Sequence, residues 1–264
     1  MPFVAHRAFG WAPVTIDDSW GLKTIKSGTA YTVCNTLFCP DCGFLFLDMR
    51  FSEEELAGLY DGYRNAEYTD LRETYEPGYR ERNKGLISGI NYINEVEEFL
   101  SPILSFPISI LDWGGDTGKN TPFKHANKEF HIYDISNVFP VQGAEIITKE
   151  KALQTEYDLI VCSMVLEHVP YPAELIHEIK QNMSKDTLLY IEVPFEELMR
   201  LSAGDTDLQL KKRHWHEHIN FYSEESLRRL LNACGLQIVK SRQLHAFGGA
   251  NTEYCLQIAC RRFV

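Results

Sequence analysis

The rhythm of apolar positions changes at Pro107. Before it, the segment up to Met49 is rich in glycine, threonine, aromatic and β-branched residues, a mixture that predicts short strands and turns with little core of their own. Ser52 then opens a helix: Glu55 stands three residues on in a capping-box pattern, and Leu56, Leu59 and Tyr60 follow on one side. The stretch Leu59 to Tyr79 is dense in tyrosine and interrupted by Gly62 and Pro77, which suits a connector or a lid. From Arg80 to Leu100, the spacing of Leu86, Ile90, Ile93, Val96 and Leu100 predicts one amphipathic helix.

After Pro107, short apolar runs alternate with helical spacing. "ISILDW" (Ile108 to Trp113), "FHIYDI" (Phe130 to Ile135), "AEIIT" (Ala144 to Thr148), "YDLIVCS" (Tyr157 to Ser163) and "TLLYIEV" (Thr187 to Val193) have the composition of strands buried on both faces. Pro172, Leu175, Ile176, Ile179 and Met183 recur at helical spacing between the last two. Ser223 caps a later helix carrying Leu227, Leu230 and Leu231, and Gly235 ends it. "LQIVKSRQL" and "NTEYCLQIACRR" read as two closing strands. The alternation predicts an α/β fold: a mostly parallel sheet covered by helices, with an antiparallel pair at its end.

At 264 residues the chain can bury a sizeable core. A formal net charge of −11 repels a phosphate backbone, so nucleic acid is not an expected partner. No run approaches the roughly 20 apolar residues of a membrane span, and the opening residues lack the zones of a signal peptide; membrane insertion is not expected and a cytoplasmic location is. Of seven cysteines, Cys162, Cys234, Cys255 and Cys260 are scattered, which fits buried thiols in a reducing compartment.

"ILDWGGDTGKN" sets Asp112 at the end of a strand and Gly114, Gly115 and Gly118 in the turn that follows, where ligands of open α/β sheets sit. Asp112 and Asp116 flank the turn and disfavour a pyrophosphate, whereas a ligand bearing ammonium and sulfonium groups suits them. Asp134, ending the second strand, is placed to accept two ribose hydroxyls. S-adenosylmethionine has these features. With "YDIS" and "YDLIVCSMVLEHVPYP" in order behind it, the glycine turn resembles that of class I S-adenosylmethionine-dependent methyltransferases, over roughly residues 107–262. The resemblance implies a Rossmann-like, seven-stranded, mostly parallel sheet with helices on both faces. It also implies that Asp112, Gly114, Gly115 and Gly118 line the methionine end of the cofactor, that Asp134 holds its ribose, and that Cys162, Ser163 and Met164 lie beside it. Where the usual loop has another glycine, this chain has Asp116.

"FCPDCGFLFLD", "ELAGLYDGYRNAEY", "HWHEHINFYSEESLRRLLNACGL" and "HAFGGANTEY" resemble a narrower subgroup, the sugar C- and O-methyltransferases with a small N-terminal zinc-ribbon-like unit. Domains of 1–50 (β-rich, zinc-ribbon-like), 51–106 (helical connector or lid) and 107–264 (cofactor domain) follow from it. Cys39 and Cys42 form one C-x2-C knuckle, but a closed zinc site needs four ligands. Cys34 and His6 are the remaining candidates, and Cys34 has the wrong strand parity. Zinc at the knuckle is therefore left open and not favoured, and no metal is assigned to the reaction.

His214, His216 and His218 alternate on one face of a strand and could ligate a metal, yet removing a proton from a methyl acceptor calls for a base, which imidazole suits. In the resembled enzymes the segment reads Tyr-His-Glu-His with its last histidine as base. That makes His218 the base here and Glu217 and His216 its pocket neighbours, with Trp215 in the tyrosine position. Trp215, and Phe247 where a histidine is common, offer less to a developing enolate, so hydroxyl methylation is expected over carbon methylation. Glu167 and His168 form a second acid–imidazole pair that the resemblance assigns to the cofactor pocket. Tyr63 and Tyr68 are expected to close over the cofactor, or alternatively to pack between the two parts. The expected substrate is a sugar hydroxyl, of a nucleotide-linked sugar or of a sugar in a surface polysaccharide. The alternatives are a C-methyltransferase acting beside a keto group and a non-catalytic binding module.

Overall fold

The computed structural model describes residues 14–16, 18, 27–30, 36–48, 50–60, 65–75, 78–88, 90–136, 138–201, 218–248 and 251–263. The N-terminal part holds β1 (Val14–Ile16) antiparallel to β2 (Gly28–Ala30), and a hairpin of β3 (Thr36–Cys39) and β4 (Phe44–Leu47). Four helices follow: α1 (Glu53–Tyr60), α2 (Ala66–Tyr75), α3 (Tyr79–Ser88) and α4 (Ile93–Leu100). Next come β5 (Ile108–Trp113), β6 (Asn127–Tyr133), β7 (Glu145–Ile146), α5 (Lys149–Gln154), β8 (Leu159–Ser163), α6 (Pro172–Gln181) and β9 (Leu188–Pro194). The order closes with α7 (Glu197–Leu201), β10 (Asn220–Phe221), α8 (Glu224–Ala233), β11 (Leu236–Gly248) and β12 (Asn251–Arg262).

Seven strands form one sheet in the order β11-β12-β9-β8-β5-β6-β7. β5 to β9 run parallel, while β12 is antiparallel to both β9 and β11, the arrangement read from the sequence. Alternation along the central strands sorts their side chains to two cores. Leu111, Ile160, Leu189 and Ile191 meet Ile176 and Ile179 of α6 and Leu227 and Leu231 of α8. Ile110, Leu159, Val161 and Tyr190 meet Val96, Phe99 and Leu100 of α4 on the other face.

Two local expectations are corrected. The helix read over Arg80 to Leu100 is two helices, α3 and α4. Between them the Ile90 N–H donates to Asn120 Oδ1 at 3.0 Å, and Tyr92 is buried with its hydroxyl on Glu192 at 3.0 Å, so tertiary partners take the groups that would continue the helix. The strand read at Ala144 to Thr148 is only Glu145–Ile146, and both residues are exposed because it is the last strand of the sheet. No helix joins β5 to β6: residues 114–126 are turns, with Pro122 lacking an N–H and the Phe123 N–H taken by Glu97 Oε1 of α4 at 2.6 Å. The predicted capping box at Ser52 and Glu55 is present, with reciprocal bonds of 2.8 and 3.2 Å.

The N-terminal hairpin takes a third strand from far along the chain: β10 pairs antiparallel with β4, giving the order β10-β4-β3. Ser223 reinforces this junction. Its Oγ accepts from the Ser226 N–H (3.0 Å) as the N-cap of α8 and donates to the Cys42 carbonyl (2.9 Å) in the cysteine knuckle. Ser223→Ala removes both contacts and should lower stability by about 1–2 kcal/mol in urea denaturation.

Candidate functional site

The glycine turn sits at the carboxyl end of β5. Gly114 (φ +78°) donates its N–H to the Tyr133 carbonyl at 2.7 Å, and a Cβ there would stand 2.6 Å from Val165 Cγ2. A Cβ on Gly115 would meet the Asp112 carboxyl carbon at 2.5 Å, and one on Gly118 (φ +76°) would meet Ile132 Cδ1 at 2.5 Å. The turn is thus closed around its own strand and the loop after β8, and a side chain at these positions would require Val165, Asp112 or Ile132 to move. Asp116, which replaces the usual glycine, adopts φ +51°, a conformation aspartate tolerates better than most residues.

Carboxylates gather round this turn. The Asp116 N–H donates to Asp134 Oδ2 at 2.8 Å and the Ser136 N–H donates to Asp134 Oδ1 at 2.7 Å, which fixes Asp134 just beyond β6. Asp112 is buried and accepts a hydrogen bond from the Thr121 hydroxyl. Burial pushes its pKa up to about 7 against the Thr121 bond, with the neighbouring charges of Asp134 and Asp116 adding to the rise. A concave turn with backbone exposed and three carboxylates around it fits a cationic nucleoside and opposes a phosphorylated one.

The second half of the site is built at the carboxyl ends of β8 and β9. After Ser163, whose hydroxyl donates to Glu192 Oε1 at 3.0 Å, Met164 turns the chain at φ +55°, and Val165 covers the glycine turn. The Glu167 carbonyl accepts from two backbone donors, Ile219 N–H (2.8 Å) and Asn220 N–H (3.0 Å). The Asn220 side chain donates to the carbonyls of Leu166 (2.9 Å) and Val169 (2.7 Å). These bonds set His218 against His168, ring centroids 4.7 Å apart and nearly perpendicular. His218 Nδ1 lies 2.8 Å from Glu196 Oε1, two residues past β9. An imidazole whose Nδ1–H is given to a carboxylate presents Nε2 as its basic atom. Tyr60 of α1 meets the His168 ring edge-on at 6.0 Å.

Glu167 lies beneath this pair, 2% exposed, and among the described residues neither carboxylate oxygen has a hydrogen-bond partner. Burial pushes its pKa up to about 7, opposed by His218. Its Oε1 is 3.7 Å from His168 Nε2, and ligand-type atoms of Glu167, His168 and His218 all fall within 4.8 Å of one another. Among the described residues this is the one group of three that could hold a metal ion.

Asp112, Gly114, Gly115, Gly118 and Asp134 therefore share one turn region, and Ser163 and Met164 are half-buried at the adjoining strand end. Cys162 has its thiol wholly inside the core. Tyr68 of α2 is half-buried with its ring 6.1 Å from Tyr79. Tyr63, His214, Trp215, His216 and Glu217 lie outside the described residues, as do Cys34 and His6. Cys39 and Cys42 form a knuckle turned by Gly43 (φ +72°), and hydrogen bonds from Cys42 hold the Cys39 thiol below its usual pKa. Sequence reading missed Glu196 and Tyr60. Glu196 carries no local signal beyond being an acid just past a strand, and Tyr60 was read only as part of an apolar helix face.

The methyltransferase-domain family matches residues 79–241, well over half of the chain, and the chain belongs to it. Its fold is that of the class I S-adenosylmethionine-dependent methyltransferases. A ubiquinone biosynthesis O-methyltransferase of Aeromonas salmonicida (strain A449) is 26% identical over 111 residues, covering 40% of this chain and 47% of that protein. The chain thus spans about half the length of the curated relative it matches. Among solved structures, the 1,6-didemethyltoxoflavin-N1-methyltransferase of Burkholderia thailandensis superposes at a TM-score of 0.54 with 14% identity, over 87% of this chain and 100% of that one. Magnesium protoporphyrin IX methyltransferase of Synechocystis PCC 6803 gives a TM-score of 0.47 with 14% identity, over 76% and 96%. No helix among the described residues is long and apolar enough to cross a membrane.

The raised pKa of Asp112 has a definite sign. Its proton is held more tightly folded than unfolded, so its contribution is neutral below about pH 4 and becomes unfavourable as pH rises toward 7. Asp112→Asn removes that contribution. In urea titrations of the cofactor-free protein, the variant should gain on the parent between pH 5 and pH 8 by up to about 3–4 kcal/mol. Calorimetry at pH 8 should show weaker cofactor binding by the same variant.

Proposed function

We propose that the protein methylates a hydroxyl group of a small molecule, with a sugar, nucleotide-linked or part of a surface polysaccharide, as the acceptor. The observation that carries this reading is the His218–Glu196 pair at 2.8 Å beside the cofactor turn: an oriented imidazole where an acceptor must lose a proton. The O-methyltransferase among the relatives agrees with oxygen as acceptor, and the sugar rests on the resemblance of the N-terminal and histidine-rich segments.

S-adenosylmethionine supplies a methyl group made electrophilic by its sulfonium. In this reading Gly114, Gly115 and Gly118 give it a close backbone surface, Asp112 faces its ammonium, and Asp134 accepts from its ribose hydroxyls, with Ser163 and Met164 alongside. His218 draws the proton from the acceptor hydroxyl, and Glu196 holds the ring and stabilises its cationic form. The resemblance assigns His216 and Glu217 to the acceptor pocket and Tyr63 to a lid, but all three lie outside the described residues; Tyr68 of α2 is the described candidate for closing over the site.

Two measurements test this. Incubating the protein with the cofactor and a panel of nucleotide sugars and free phenols should yield an O-methylated sugar by mass spectrometry. Methyl on carbon, with solvent deuterium entering beside a carbonyl, would overturn it. His218→Ala should lose about 10²-fold or more in turnover with cofactor affinity unchanged by calorimetry; retained turnover removes His218 from the chemistry.

A further inference from the structure

We propose that Glu167, His168 and His218 together bind one divalent first-row cation, such as Mn²⁺ or Co²⁺, which holds and acidifies the acceptor hydroxyl. This rests on the hydroxyl-methylation reading and specifies how that hydroxyl is activated.

The case begins with two glutamates at equal depth. Glu192 is 1% exposed and its carboxylate is surrounded by donors: the hydroxyls of Tyr92 (3.0 Å), Ser163 (3.0 Å) and Tyr190 (2.6 Å), and the Gln257 amide. Glu167 is 2% exposed and has none among the described residues. Leaving a buried carboxylate without donors is costly, and that cost is met by donors, by a bound cation or by taking up a proton. What the chain sets beside Glu167 is two imidazoles rather than donors of fixed sign. His168 Nε2 is 3.7 Å from Oε1, near the roughly 3–3.5 Å that separates two ligands bound to one ion at bond lengths of 2.0–2.2 Å.

The surroundings fit the same purpose. His218 gives Nδ1 to Glu196 at 2.8 Å, the carboxylate–imidazole pairing that orients Nε2 toward a metal. The Glu167 backbone is fixed through its carbonyl by Ile219 and Asn220, so the cluster is held from both sides. Two imidazoles and one carboxylate suit a first-row divalent ion and leave coordination positions open to water or substrate. A hydroxyl entering an open position would have its pKa lowered. The oxygen–carbon bond then forms as the carbon–sulfur bond breaks with its electron pair returning to sulfur, and the hydroxyl proton leaves to water. In this metal-loaded site His218 is a ligand; in the metal-free protein its ring takes the proton directly.

The test uses untagged full-length protein dialysed against EDTA, in a Cys39→Ser/Cys42→Ser background so that the knuckle cannot bind the ion. Titration with MnCl₂, followed by calorimetry and by the loss of free Mn²⁺ signal in electron paramagnetic resonance, should show one equivalent bound. Glu167→Gln should weaken that binding by about 100-fold, with circular dichroism unchanged. Absence of binding up to millimolar Mn²⁺, or binding indifferent to Glu167→Gln, overturns the site. Full turnover by the EDTA-dialysed protein overturns the ion's role and leaves the imidazole as base. Glu167-dependent binding in a protein that methylates no sugar upholds the site while removing the sugar reading.

Discussion

Two backbone N–H groups, of Ile219 and Asn220, converge on the carbonyl of Glu167, and much of the site hangs on that junction. The Glu167 carbonyl belongs to the loop after β8, which touches the glycine turn through Val165. The donors belong to a segment that also pairs with β4 of the N-terminal hairpin. A handful of main-chain bonds therefore joins three parts of the chain that are far apart in sequence. Because main-chain groups have fixed directions, the junction sets where His218 stands to a degree that a flexible loop could not.

Three buried carboxylates around that junction show how surroundings divide one chemical group into different roles. Glu192, met by three hydroxyls and an amide, is a structural anchor tying α4, β8, β9 and β12 together. Asp112 has one hydroxyl donor and two acidic neighbours, so the protein holds in reserve an unfavourable charge that a cationic ligand relieves. Glu167 has imidazoles for company and no donor among the described residues. The differences arise from what the neighbouring strands and loops bring to each position and not from the residue type.

Local signals were legible where the chemistry is local. Ser52 with Glu55 and Ser223 before its helix are caps set by residues three apart, and both form as read. The apolar runs of β5, β8 and β9 become buried strands because nothing but burial on both faces suits them. The break between α3 and α4 was not legible, since the partner of the Ile90 N–H is Asn120, thirty residues on. Glu196 was unreadable as a partner of His218 for the same reason: the contact spans 22 residues.

The sequence by itself determined the class of fold, the glycine turn and the acids at its strand ends, because each depends on residues adjacent in the chain and on the alternation of apolar positions. It also points to His218 as the candidate imidazole. Tertiary structure alone decided what surrounds that ring: Glu196 on Nδ1, His168 against its face and, beneath, a Glu167 without a donor among the described residues. Glu167 and His168 follow β8, Glu196 follows β9, its neighbour in the large sheet, and His218 precedes β10, which pairs with β4 in the smaller one, so only the packing of the two sheets brings these residues together.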